Sequence, residues 1–197
     1  MKKLLFIGLA AGFASAAFGQ NLVVDGNFAA STGASDAAPP GWTLTPGASG
    51  EDCFSEPTGG PNTGDGYFAF GNVASTVDVI SQSIATVVGQ HYTFSAALKG
   101  GGTPEDINVY WNTNTFGGVG NQFSGQNFGT DGTWSTMSWN VVATATSTTI
   151  AFGGYNGPAF SDLSDVSLVA HGTPEPASMA VLGLGALALI RRRRSSK

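Results

Sequence analysis

Cysteine is almost missing from this chain: Cys53 stands alone among 197 residues. No internal disulfide can staple the fold, so its stability must come from burial. Cys53 itself reads either as a small buried hydrophobe or as a free thiol open to pairing with another molecule. Cations are equally scarce away from the ends. Every arginine lies in residues 191–194, and between residues 20 and 172 Lys99 stands alone against twelve acidic residues, a net charge of −11. Such a body repels phosphate polymers, which argues against nucleic-acid binding. Histidine is limited to His91 and His171. There is no His-Glu-x-x-His helix, no nucleophile elbow and no phosphate loop, so metal hydrolysis, acyl transfer and nucleotide chemistry lack their usual parts. Sustained helical periodicity is missing too, which argues against an α-helical body.

What is present is clearest at the C-terminus. Pro174, Glu175 and Pro176 come first, and the two prolines fix their own φ and hold their preceding residues extended. An uncharged apolar run follows at residues 177–190, then Arg191, Arg192, Arg193 and Arg194. As a helix the run is about 21 Å long, short against a hydrocarbon core of about 30 Å. The arginines hold its end on the cytoplasmic side by the positive-inside rule. At the other end, Lys2 and Lys3, an apolar stretch over residues 4–13 and small residues leading to Gly19 read as a secretory signal.

An extended Pro-Glu-Pro, a short apolar helix and a basic cluster in this order resemble a PEP-CTERM sorting tail. The resemblance implies an exosortase-type membrane protease that reads Pro174, Glu175 and Pro176. It also implies export by signal peptidase and the general secretion machinery across the inner membrane of a Gram-negative bacterium, a transient membrane anchor, and delivery to the cell surface or an extracellular polysaccharide matrix. The alternative is an ordinary tail anchor that stays uncut. The expected organisation is a signal peptide at 1–19, one body at 20–170, a linker at 171–173 and the tail at 174–197.

The body, at roughly 150 residues, has the commonest size for one domain. Apolar residues alternate along it: Tyr92, Phe94, Ala96 and Leu98; Ile107, Val109 and Trp111; Met137, Trp139 and Val141; Ile150 and Phe152; Val166 and Leu168. This is the pattern of half-buried antiparallel strands. Glycine and proline clusters punctuate them, which predicts an all-β sandwich or barrel. Trp42, Trp134 and Trp139 are expected in the core, and Gln82, between Ile80 and Ile84, as a buried amide bonded to backbone.

The order of Asn21 to Phe28, Pro40-Gly41-Trp42, Ser81 to Ile84, Gly89 to Phe94, Trp134 and Ser164 to Leu168 is similar to carbohydrate-binding modules of the galactose-binding-like jelly-roll type. That resemblance implies an antiparallel β-sandwich of eight or nine strands whose first and last strands lie close together. It also implies a structural calcium between the opening segment and the last strand. This sequence departs from the pattern at Ala29 and Ser164, keeps Asp165, and offers Asp25 and Asn27 as further oxygen donors, with Asp162 as another. The other reading of these residues is that they face water or bond nearby amides.

Sugar binding needs a flat apolar ring face beside hydrogen-bonding amides. If Trp111 points inward, Asn108, Tyr110 and Asn112 point outward, which makes Tyr110 a candidate platform, with Phe128 and Tyr155 as loop candidates. The competing reading of these aromatics is core packing. Glu51, Asp52, Glu56 and Asp65 form an acidic stretch that could house a glycosidase pair or simply face water. The sequence therefore predicts a non-enzymatic glycan-binding or matrix protein. Its alternatives are a glycan-active hydrolase and a purely structural adhesion unit.

Overall fold

A computed structural model describes residues 19–47, 53–71, 77–100, 106–112, 121–123, 132–156 and 159–172. The signal segment and the tail, with Pro174, Glu175, Pro176 and the four arginines, lie outside the described residues. So do Phe128, Glu51 and Asp52.

Ten strands follow one another: β1 (Thr43–Thr45), β2 (Cys53–Glu56), β3 (Tyr67–Phe70), β4 (Asp78–Ala85), β5 (His91–Gly100), β6 (Asp106–Trp111), β7 (Asn121–Phe123), β8 (Ser135–Val142), β9 (Ser147–Tyr155) and β10 (Ser161–Ala170). They form two five-stranded sheets, ordered β1-β4-β9-β6-β7 and β2-β3-β10-β5-β8, and every pairing is antiparallel. The fold is thus the all-β sandwich that the alternation predicts, with ten strands among the described residues where the resemblance implies eight or nine.

Consecutive strands β4 and β5 belong to different sheets, as do β8 and β9, so the connections close the ends of the sandwich. Between the sheets, Phe94 meets Trp111, Trp139 and Phe152, with ring centroids 5.5 to 6.0 Å apart. Trp42 bridges Phe28 and Phe152. Burial of each such side chain contributes about 1.5–3 kcal/mol, which is how a body without disulfides holds together. Cys53 belongs to this core and is 2% exposed. Burial first, then the charges of Asp78 and Asp36, pushes its thiol up to about 12. It is an inert hydrophobe at neutral pH.

The opening segment forms turns rather than a strand, yet it does run beside β10. Leu22 N donates to Leu168 O at 2.9 Å, and Val166 N donates to Gly26 O at 2.8 Å. Only glycine fits at position 26, because a Cβ there would collide with the Val166 carbonyl. Gln82 anchors the same segment as a buried amide: Oε1 accepts from Val24 N, and Nε2 donates to the carbonyls of Val24 and Gly41, at 2.8 to 3.0 Å. Beyond β10, His171 is docked rather than free. Its N–H donates to His91 O, its carbonyl accepts from Gln90 Nε2 at 2.7 Å, its Nε2 lies 2.7 Å from Thr93 Oγ1, and its ring stacks on His91.

Candidate functional site

The outer face of the β2-β3-β10-β5-β8 sheet gathers side chains that are far apart in sequence. On one half, Phe54, Tyr67, Trp134 and Phe160 form an aromatic row with centroids 6.1 Å (Phe54–Tyr67), 4.9 Å (Phe54–Phe160) and 6.5 Å (Tyr67–Trp134) apart, all edge to face. None belongs to the core between the sheets; three are half-buried, and Phe160 is 38% exposed. Trp134 therefore differs from expectation. It precedes β8 on the outward phase of the pleat, opposite to Met137 and Trp139, which pack against the core.

Lys99 lies among these rings, 5.0 Å from the Trp134 centroid and 5.5 Å from that of Tyr67, and pairs with Asp162 at 2.7 Å. Burial raises the Asp162 carboxyl above the ordinary carboxylate range even though Lys99 opposes it. The Tyr67 hydroxyl is also raised, by burial first and then by the charges of Asp162 and Glu56. The pair holds Lys99 against the two rings, so this corner combines apolar faces with one fixed cation.

The same face continues into a cleft of about 520 Å³ lined by Asn21, Asp25, Asn27, Asp65, Ser95 and Thr136, with Asp165 and Ser167 on β10. Thr136 is the next outward residue after Trp134, so shelf and cleft adjoin. A β-bulge between Ser164 and Ser167 puts Asp165 at φ 47°, the left-handed region that aspartate tolerates better than most residues. Asn62 Nδ2 donates to Asp165 Oδ2 at 2.7 Å, and Asn27 Nδ2 to Asp65 Oδ1 at 3.0 Å. Asp165 is raised by burial first and then by the charge of Asp65 beside it.

Asp25, Asn27 and Asp165, the donors the sequence suggested for calcium, do line one cleft, joined by Asp65. Asp25 is turned to its own loop, where Oδ1 accepts from Ala30 N at 3.1 Å; its Oδ2 is buried without a partner. Among the described residues no cluster of three or more acidic, histidine or cysteine side chains is present to hold a metal ion, so a calcium ion here would take most of its six to eight oxygens from amides, backbone and water. The site thus offers the Asp65 and Asp165 carboxylates with the Asn27 and Asn62 amides beside them.

The β6 candidates come out differently. Asn108 and Tyr110 do sit opposite to Ile107, Val109 and Trp111, which join the core. Yet Tyr110 is 0% exposed and Asn108 3%. Tyr110 packs with Val79, Ala151 and Val77 in a second apolar cluster, so its ring has no open face for stacking. Asn112 is exposed, with φ 72°, and its Nδ2 donates to Thr144 Oγ1 at 2.8 Å. Tyr155 closes β9, half-buried and paired with Asp106, on the other sheet from the aromatic row. Of the acidic stretch, the described residues are Glu56, which belongs to β2, and Asp65, which lines the cleft.

Sequence reasoning missed Phe54, Tyr67 and Phe160 as surface groups, and it offered Asp162 as a cation ligand rather than as the partner of Lys99. The one available signal was Lys99, the body's sole cation, which is placed on an outward position of β5.

The sequence model for the PEP-CTERM protein-sorting motif matches residues 173–194. A comparison with curated proteins by sequence finds no match. Among solved structures, the enzymatically active domain of tailspike protein 4 from bacteriophage CBA120 aligns with a TM-score of 0.58 at 14% identity, covering 77% of this chain and 21% of that one. TmCBM61, solved with beta-1,4-galactotriose, aligns at 0.53 and 12% identity over 77% of this chain and 99% of its own. A protein from Bacteroides thetaiotaomicron named for sugar binding aligns at 0.50 and 15% identity over 77% and 100%. The chain spans about a fifth of the tailspike domain and the whole of the other two. At such identities the likeness concerns the fold. This chain is therefore a jelly-roll sandwich of the kind found in carbohydrate-binding modules, with a PEP-CTERM sorting motif at residues 173–194.

Proposed function

We propose that the sandwich is a non-enzymatic glycan-binding domain that an exosortase-type protease releases to the cell surface or its polysaccharide matrix. The observation that carries this reading is the outer face of the β10 sheet, where Tyr67, Trp134, Phe54 and Phe160 adjoin a cleft lined by hydroxyls and amides. Sugar rings stack their C–H faces on such aromatics, while hydroxyls and amides bond the equatorial oxygens. The edge-to-face rings make no single plane, which suits one flexible chain better than a crystalline surface. The net charge of −11 favours a neutral polymer over a polyanion.

A hydrolase is less well supported, because among the described residues Glu56 sits on β2 and only Asp65 of its candidate stretch lines the cleft. A structural calcium belongs to the proposal as well, with Asp65 and Asp165 as its carboxylates and Asn27 and Asn62 as neighbouring amides.

Pull-down of residues 20–172 on a panel of neutral and acidic polysaccharides tests the reading. Wild type should be retained on at least one neutral polymer, and Trp134→Ala should weaken that binding about tenfold, or ~1.4 kcal/mol. Retention on no polymer, with or without calcium, would leave only a structural role.

A further inference from the structure

Three of the five large hydrophobic side chains exposed among the described residues lie at one end of the sandwich: Val87 (54%), Val88 (59%) and Val142 (39%). Val87 and Val88 occupy the turn between β4 and β5, closed by Gln90 N donating to Val87 O at 3.0 Å with Gly89 at φ 79°. Val142 ends β8 opposite His91, the first residue of β5.

β10 ends at this same end, since Ala170 pairs with Tyr92. The chain stays bound to the sandwich through His171, by its contacts with His91, Gln90 and Thr93. No acidic residue occurs in residues 86–92, 142–146 or 170–172, although the body as a whole carries twelve. Apolar tips and a lack of negative charge thus coincide with the exit of the sorting tail.

The tether sets the distance. From Gly172 to Ala177, where the apolar run starts, there are about five residue steps, which extended chain spans in about 17 Å at most. The headgroup layer takes up ~6 Å of that.

We infer that, before cleavage, the sandwich stands on this end, with Val87, Val88 and Val142 resting in the lipid interface of the membrane that holds the tail. The inference rests on the sorting reading, in which residues 177–190 enter the bilayer. A lipid surface is the occupant because the tether leaves no room for anything thicker. Apolar side chains in a turn lower the free energy of contact with the headgroup–acyl boundary, and an acid-free end avoids repulsion by anionic lipids. The docked His171 then aims the cut site, two or three residues further on, at a protease in the same membrane.

The full chain, reconstituted into phosphatidylethanolamine–phosphatidylglycerol vesicles, tests this with an environment-sensitive fluorophore on single introduced cysteines and a shallow nitroxide lipid as quencher. Cys53 is 2% exposed and stays unlabelled. A label at Val88→Cys should shift to the blue and lose most of its emission to the quencher. A label at Phe160→Cys, roughly 30 Å away at the start of β10, should keep it. A third, at Leu184→Cys, reports insertion of the tail. Quenching at position 184 with position 88 as bright as 160 would overturn the membrane-resting end and leave the sorting reading intact. No quenching at 184 would remove both.

Discussion

The outer faces of the two sheets carry aromatics to opposite effect. On the sheet containing β6, Tyr110 points away from the core yet is 0% exposed, held against Val79 and Ala151. On the sheet containing β10, Phe54, Tyr67, Trp134 and Phe160 also point away from the core and stay partly open, with Lys99 against Tyr67 and Trp134. The pleat assigns each residue a side, and what lies over that side decides whether it is a surface. An outward aromatic is a binding platform only on the face left uncovered.

Substitution should separate the two faces most sharply in stability. Tyr110→Ala leaves a cavity where a fully buried ring was, and should cost about 3–5 kcal/mol in denaturant unfolding. Trp134→Ala, on the open face, should cost about 1 kcal/mol while reducing glycan retention. Equal losses would erase the distinction between the faces.

Between these extremes, Gln82→Ala should cost about 1–3 kcal/mol, because it leaves the Val24 amide and the carbonyls of Val24 and Gly41 without their partner. Faster hydrogen exchange confined to residues 21–28 would show that this amide ties the opening segment to the fold beside the cleft.

The smallest effect of substitution belongs to the carboxylate pair on the open face. Asp165 is raised above 3.8 by burial and by Asp65, so the folded state binds its proton more tightly than the unfolded chain does. Its contribution to stability is present below the unfolded pKa and is lost as pH rises through the folded one. Asp165→Asn, which keeps the left-handed backbone comfortable, should flatten that decline and raise neutral-pH stability in chelator by less than about 1 kcal/mol. Calcium at ~100 times its dissociation constant should add about 2.7 kcal/mol to the wild type, or several degrees in melting temperature, and nothing to the variant. An equal response in both would remove these carboxylates as the ion's ligands.

Much of the fold was legible because strand periodicity is local. Every alternating set named from the sequence, from Tyr92 to Leu168, joins or packs against the core, and Gln82 bonds backbone because it falls in phase with Ile80 and Ile84. The open aromatic face was less legible. Trp134 looks like any other tryptophan until β8 shows its phase, and Phe54, Tyr67, Lys99 and Asp162 meet only when β2, β3, β5 and β10 pair. Part of the cleft could be anticipated, since Asp25, Asn27 and Asp165 flank segments expected to lie close together. Asp65, brought in from the loop before β3, could not.

By itself, the amino-acid sequence determined the sorting motif, the strand-forming alternation and the strongly acidic charge, since each depends only on neighbouring residues or on composition. Tertiary structure alone decided which outward aromatics stay open and which carboxylates face one another. It also decided that the exit of the tail coincides with an apolar, acid-free end. Those relations arise from strand order across two sheets, and no local pattern encodes which strands will become neighbours.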